Sequence, residues 1–249
     1  RYFNGTIDDV RVYNRSLSQT EILELYLSHG LVGYWNFNAN NKNTTDTYDS
    51  SGYNNHGKIL GAVLTNDGRF KEGYKFDGNN DYIDIGNDLS LKNMTDGVTV
   101  SAWAKYNAYG GGGQAYSVIA VKGTPWTFLM ENPSNKIRFR ISAGGVDTAA
   151  ADSASHELNR WYHFVGTFNG THIKIYKDGV EVGNTLQTGS LAATDTTAKI
   201  GTFTGTSYNL NGTIDEVRIY NRALRASEIA ALYNGTKTFH LTFSSMPTS

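Results

Sequence analysis

Short runs of aromatic and β-branched residues, each closed by glycine, asparagine or aspartate, constrain this chain more than any other feature. WYHFVGTF and THIKIYKD are the clearest pair. They are joined by Asn169-Gly170, residues suited to the positive φ angles of a tight hairpin turn. A second turn at Asp178-Gly179 leads into VEVG, and KFDGNNDYIDIG and VTVSAWAKY continue the rhythm. With 27 glycines, 3 prolines and almost no helical periodicity, the pattern predicts an all-β chain folded as an antiparallel two-sheet sandwich or jelly roll.

Composition removes several classes of function. A formal charge of −1 over 249 residues leaves no basic stripe for nucleic acid. No apolar run in this segment is long enough to span a bilayer, and the first residue is Arg1, so any signal peptide or anchor is expected elsewhere. The absence of cysteine rules out a disulfide framework and thiol catalysis and leaves the compartment open.

One segment occurs twice. FNGTIDDVRVYNRSLSQTEILELY (3–26) and LNGTIDEVRIYNRALRASEIAALY (210–233) share 15 identities in the 23 positions from Asn4 and Asn211 onward, which implies duplication. Within the first copy, Ser18-Gln19-Thr20-Glu21 has capping-box spacing, and Ile22, Leu25 and Tyr26 fall on one face of a short helix. The second copy keeps Ile229, Leu232 and Tyr233 but has Arg225 at the cap, a weaker start by about 1 kcal/mol. These expectations divide the chain into 1–29, the closing strand and helix of a preceding repeat; 30–236, a complete domain; and 237–249, where TFHLTF begins a further strand before a linker.

Taken in order, YWNF, DSSGYNNHG, KFDGNNDYIDI, VTVSAWAK, RWYHFVGTFNGTHIKIYKDGVEV, AKIGTF and GTIDEVRIYNRALRASEIAALY resemble a laminin-G-like, concanavalin A-like jelly-roll domain. The resemblance spans roughly Gly30 to Thr236 and implies two curved antiparallel sheets facing each other and frequently a bound calcium; the short helix read above then follows the last strand. It also implies carbohydrate-binding or adhesive roles in extracellular proteins.

Strand parity gives a separate reason to look for a metal. Asp215, Val217 and Ile219 share one face and Glu216, Arg218 and Tyr220 the other, which turns Asp215 toward the core with the apolar pair. A carboxylate there needs a cation, an arginine or a set of backbone N–H donors. The first copy repeats the pattern with Asp8, Val10 and Val12. Residues 49–57 form an oxygen-rich loop, and such loops lie beside the final strand in the family, so Asp49, Asn54 and Asp215, with carbonyls around His56, are the predicted calcium ligands. The competing account is an ordinary Asx-turn loop. Asp77, Asn79 and Asp81 imitate the opening of an EF-hand, but Tyr82 stands where that loop needs glycine, and a hairpin is expected instead.

Catalytic constellations are missing. The Glu-x-Asp-x-x-Glu strand of sandwich glycosidases does not occur, nor does His-Glu-x-x-His, a nucleophile elbow or a phosphate-binding glycine loop. His163 reads as a structural or exposed strand residue. No enzymatic activity is expected.

Binding is the alternative. Tyr106, Tyr109 and Tyr116 flank four glycines in what reads as a mobile loop suited to stacking on sugars or adapting to a protein. The bland alternative is a flexible connection. Trp126, in a GTPW turn, is a candidate exposed platform, whereas Trp35, Trp103 and Trp161 are expected in the core. Sequons stand at Asn4, Asn14, Asn43, Asn93, Asn169, Asn211 and Asn234 and are candidate glycosylation sites. The function expected is a non-enzymatic extracellular or cell-surface module that binds glycans or surface proteins within a tandem-repeat protein. The alternative is a filament or surface-layer subunit that self-assembles through orphan terminal strands.

Overall fold

The computed structural model describes residues 2–7, 10–38, 45–108 and 114–235. Two antiparallel sheets face each other. The first holds β1 (Leu31–Trp35), β4 (Val63–Phe70), β5 (Glu72–Asp77), β7 (Val98–Ala108), β12 (Tyr162–Phe168), β13 (His172–Lys177), β14 (Val180–Leu186) and β16 (Asn211–Tyr220). Their order is β14-β13-β12-β7-β16-β5-β4, with β1 also paired to β16. The second holds β2 (Asp46–Thr47), β3 (Gly57–Leu60), β6 (Tyr82–Gly86), β8 (Tyr116–Val121), β9 (Trp126–Glu131), β10 (Lys136–Ala143), β11 (Val146–Ala151) and β15 (Ala198–Ile200). Its order is β11-β10-β9-β8-β15-β6-β3-β2. The all-β jelly-roll sandwich expected from the strand rhythm is the fold observed.

The two best turns behave as their residues dictate, with one refinement. Asp178 and Gly179 both take positive φ, 51° and 83°, and close the two-residue hairpin Lys177↔Val180 between β13 and β14. At Asn169-Gly170 only the glycine is left-handed. Asn169 instead accepts the N–H groups of Thr171 and His172 through Oδ1 at 3.1 and 2.8 Å, an Asx-type turn. The Asp77–Asp81 turn is not a hairpin. It carries the chain from β5 in the first sheet to β6 in the second, stiffened by the Asp77 N–H donating to Asp81 Oδ2 at 2.9 Å.

The core lies between the sheets and is built from alternate strand residues. Phe164 and Phe168 of β12 point inward, into the cluster that also holds Phe139, Phe128, Phe76 and Ile83, while His163 and Val165 point outward. Trp35 and Trp126 are in the same cluster.

A second, smaller layer covers the outer face of the first sheet. Helix α3 (Ala226–Gly235) sets Ile229 and Leu232 against Val165, Tyr176, Tyr220 and Leu224. Tyr233 stacks on Trp103 with centroids 5.7 Å apart. Each buried aliphatic chain contributes about 1.5–3 kcal/mol. Helix α1 (Gln19–Ser28) sends Leu27 to the rim of the same cluster, beside Leu31. A four-residue helix, α2 (Leu89–Lys92), lies between β6 and β7. The capping box of α1 forms as expected, with Ser18 and Glu21 each accepting the other's backbone N–H. In α3 half of it survives despite Arg225, because Glu228 still accepts the Arg225 N–H at 2.7 Å.

The chain enters and leaves the sandwich at one corner. Asn221 donates its N–H to the Gly30 carbonyl at 2.9 Å, and Arg222 Nε donates to the His29 carbonyl at 2.9 Å.

Candidate functional site

A β-bulge decides where Asp215 points. Glu216 takes φ 55°, and the pairing of β16 with β7 skips between Asp215 and Arg218. Ile214, Val217 and Ile219 therefore all face the core. Asp215 turns to the outer face beside its cross-strand partner Trp103, beneath α3. The expectation that Asp215 shares the core face with Val217 and Ile219 is thus corrected, since an extra residue reverses parity from that point.

Of the partners left open for that carboxylate, backbone donors are those found. Asp215 is fully buried and accepts N–H groups from Phe70 at 2.9 Å and Glu216 at 2.8 Å. Burial, then the Glu216 charge, push its carboxyl well above the usual range, and the backbone donors oppose that shift. Beside it, Glu216 Oε2 accepts Tyr34 Oη–H at 2.9 Å and Arg218 Nη2–H at 2.6 Å. The Arg218 guanidinium lies 4.1 Å from the Tyr34 ring centroid. His163 is buried, with Nε2 2.9 Å from Ser101 Oγ, and burial, then the Arg218 charge, hold its pKa down to about 3. Of these groups His163 reaches the helix layer, its ring stacking on Tyr233 of α3 with centroids 6.0 Å apart.

The 49–57 loop is a donor ring rather than an oxygen cage. Asp49 Oδ1 accepts the N–H groups of Tyr34 and Ser51, both at 2.8 Å. Its Oδ2 accepts Ser51 Oγ–H at 2.7 Å and Asn55 N–H at 3.0 Å. His56 Nδ1 accepts the Asp49 N–H at 3.1 Å. Asn54 is exposed at φ 60°. Donors already occupy the carboxylate positions a calcium would need, so the arrangement does not fit the ion. Among the described residues no three His, Asp or Glu side chains gather as a metal site. Sequence reasoning passed over the neighbouring Asn55. It is buried, donates to the Val32 carbonyl and Ser90 Oγ at 2.7 and 2.8 Å, and accepts Trp35 Nε1–H at 2.9 Å.

The predicted binding residues separate. Tyr106 is buried in the core because β7 runs on to Ala108. Trp126 is 1% exposed, inside the sandwich at the start of β9, and is no surface platform. Trp103 is buried as expected but under α3, and Trp161 is half-buried below Lys105 Nζ, 5.2 Å from its ring centroid. Tyr109 lies outside the described residues. Tyr116 remains half-exposed and belongs to a patch the sequence did not announce. Its ring meets Tyr208 edge-on at 5.1 Å, and Tyr208 meets Phe203 at 5.8 Å. Val118, Val121 and Leu129 form the floor.

The loop carrying Phe203 and Tyr208 is built by its own hydroxyls. Thr202 Oγ1 donates to Asn209 Oδ1 at 2.6 Å and accepts the Gly205 N–H at 2.9 Å. Gly205, at φ 97°, lies against the Tyr82 ring. Thr204 and Thr206 are exposed at the tip. An aromatic shelf bordered by hydroxyls and amides can stack on an apolar sugar face while hydrogen-bonding its rim. The available signal was FTGTSY, two aromatics around a Gly/Ser/Thr turn just before the last strand.

Of the sequons, Asn4, Asn14, Asn93, Asn169 and Asn234 are exposed. Asn211 is half-buried and donates to the Asp77 carbonyl at 3.2 Å. Asn43 and the 236–249 tail, with its TFHLTF run, lie outside the described residues.

A family model described as the concanavalin A-like lectin/glucanases superfamily matches residues 77–230, more than half of the chain. Among curated protein sequences none matches. Solved structures with a similar fold include the binding domain of Paraclostridial Mosquitocidal Protein 1, at 17% identity and TM-score 0.66, covering 85% of this chain and 53% of that one. The botulinum neurotoxin serotype D binding domain is similar at 17% identity and TM-score 0.66, covering 86% and 53%. A third belongs to botulinum neurotoxin type C, whose cell entry is described as dependent upon interaction with two ganglioside molecules, at 15% identity and TM-score 0.64, covering 85% and 52%. The chain spans about half the length of each.

Proposed function

The chain belongs to the concanavalin A-like lectin/glucanase superfamily, and on that premise we propose that it is a non-catalytic binding module that recognises glycans on its second sheet. The observation that carries this reading is the half-exposed shelf of Tyr116, Phe203 and Tyr208 under a hydroxyl-rich loop. The neurotoxin type C neighbour, described as engaging gangliosides, supports a glycan as ligand class. The exposed sequons and the duplicated segment support an extracellular adhesion glycoprotein with repeated domains. No helix among the described residues is long and apolar enough to cross a membrane.

The test is binding to a glycan array by the intact chain and by Tyr116→Ala, Phe203→Ala and Tyr208→Ala. Each variant is expected to lose about tenfold or more in affinity for whichever glycan the parent binds, with melting otherwise preserved. An unchanged binding profile in all three removes the shelf as the site.

A further inference from the structure

Residues 3–26 repeat residues 210–233, yet among the described residues only the second copy forms a strand in this sandwich. There β16 is central, paired with β7 on one side and β5 on the other. In the first copy residues 2–7 and 10–17 form no strand. The counterparts of Ile214, Val217 and Ile219 are Ile7, Val10 and Val12, which are 62%, 73% and 93% exposed. Helix α1 also turns the counterparts of Ile229 and Tyr233, namely Ile22 and Tyr26, to solvent, while Leu27 grips the present sandwich.

The elbow between strand and helix is nevertheless already built. Arg15 and Glu21 form a two-pronged bridge with Nη2–Oε1 at 2.5 Å and Nη1–Oε2 at 3.0 Å. Arg222 and Glu228 form the same bridge at 2.6 and 3.0 Å. The glutamate accepts the cap N–H in both copies, from Ser18 at 2.8 Å and from Arg225 at 2.7 Å. One further residue is meaningful only in a closed sheet. A Cβ on Gly212 would lie 2.2 Å from the Lys105 carbonyl oxygen, whereas the nearest atoms to one on Gly5 are those of the Phe3 ring. The first copy thus carries the apolar alternation, the helix face and the glycine of a closing element, with none of them used as such here.

We propose that residues 3–26 are a closing segment, its helix and elbow already formed and its strand formed on docking, for a second laminin-G-like sandwich whose groove, between the strands equivalent to β5 and β7, is open. The strand would enter that groove by donor-strand pairing with main-chain hydrogen bonds on both sides. Ile22 and Tyr26 would then cover its outer face as Ile229 and Tyr233 do here. Because only His29 and Gly30 separate α1 from β1, the second sandwich sits directly against this one. The proposal rests on the repeated-domain part of the functional reading and not on the glycan part.

A graft tests closure competence. Leu210→Phe, Glu216→Asp, Ile219→Val, Ala223→Ser, Arg225→Ser, Ala226→Gln, Ser227→Thr, Ala230→Leu and Ala231→Glu together write the first copy into the second copy's place in the full chain. The grafted chain is expected to unfold cooperatively within about 10 °C of the parent; loss of cooperative folding overturns the proposal. Capture in trans tests the partner. A segment of residues 30–209, lacking its own closing element, is coexpressed with the intact chain. Recovery as a soluble one-to-one complex is expected, and Val10→Asp with Ile22→Asp in the intact chain abolishes it. Rescue by a separate 210–235 segment but not by the intact chain overturns the proposal. Glycan binding is read separately on each variant, so its loss speaks to the shelf and not to closure.

Discussion

Single residues in this protein are explained by what crowds them. Gly212 is one such case, since β16 crosses β7 so closely that any Cβ collides with backbone. Gly212→Ala is expected to cost about 3 kcal/mol or more, while Gly5→Ala, in the exposed copy, stays within about 0.5 kcal/mol; equal effects in denaturant titrations would contradict the difference in context. His163 makes a pH prediction. Its folded pKa is held to about 3, so on acidification the unfolded chain takes up this proton first, from near pH 6.5 downward. Stability from this group is full above pH 6.5 and is lost progressively toward pH 3, with a slope approaching about 1.4 kcal/mol per pH unit. Buried His156, held to about 4, adds to the same limb. His163→Gln is expected to flatten the limb by one proton's worth; an unchanged slope would mean that the imidazole is not buried neutral. How much of this was legible in the sequence depended on bulges. Asp215 announced that it needed partners, and it has them, but the side it faces is set by one left-handed residue, Glu216, which no period-2 pattern reveals. Trp126 misled for a related reason, since a GTPW turn looks like surface, yet the strand begins on the tryptophan itself and turns it inward.

At the scale of elements, turns and caps were read from the sequence more faithfully than pairings. Asp178-Gly179 and the Ser18–Glu21 box are local chemistry, and both formed as expected. The Asp77–Asp81 turn was also local chemistry, but whether it joins neighbours in one sheet or crosses between two depends on residues far away in sequence. The two copies make the point most directly, because nearly the same residues are a buried central strand at 211–220 and exposed chain at 4–7 and 10–13. Propensity was equal, and tertiary partners decided. The same comparison bears on calcium. Asp49 and Asp215 are each satisfied by backbone and hydroxyl donors, so melting with and without a chelator is expected to differ by no more than about 1 °C. A chelator-sensitive fall of several degrees would show that the loop rearranges around an ion.

At the scale of the whole molecule, the strand rhythm and the ordered motifs were enough to place the chain among the concanavalin A-like sandwiches. The aromatic shelf was not visible in the same way, because Tyr116 and the Phe203–Tyr208 loop are distant in sequence and meet only through the neighbouring strands β8 and β15. The shared corner of entry and exit carries a mechanical consequence. With His29 and Gly30 hydrogen-bonded to Arg222 and Asn221, the sandwich hangs from its polypeptide like a pendant, contributing almost nothing to end-to-end length while folded. Tension would first lift α3, with Ile229 and Leu232, off the sheet and then act where Leu31 pairs with Tyr220, pulling that ladder apart one rung at a time rather than shearing it as a block. Such a joint yields at modest force and then pays out the contour length stored in the whole sandwich.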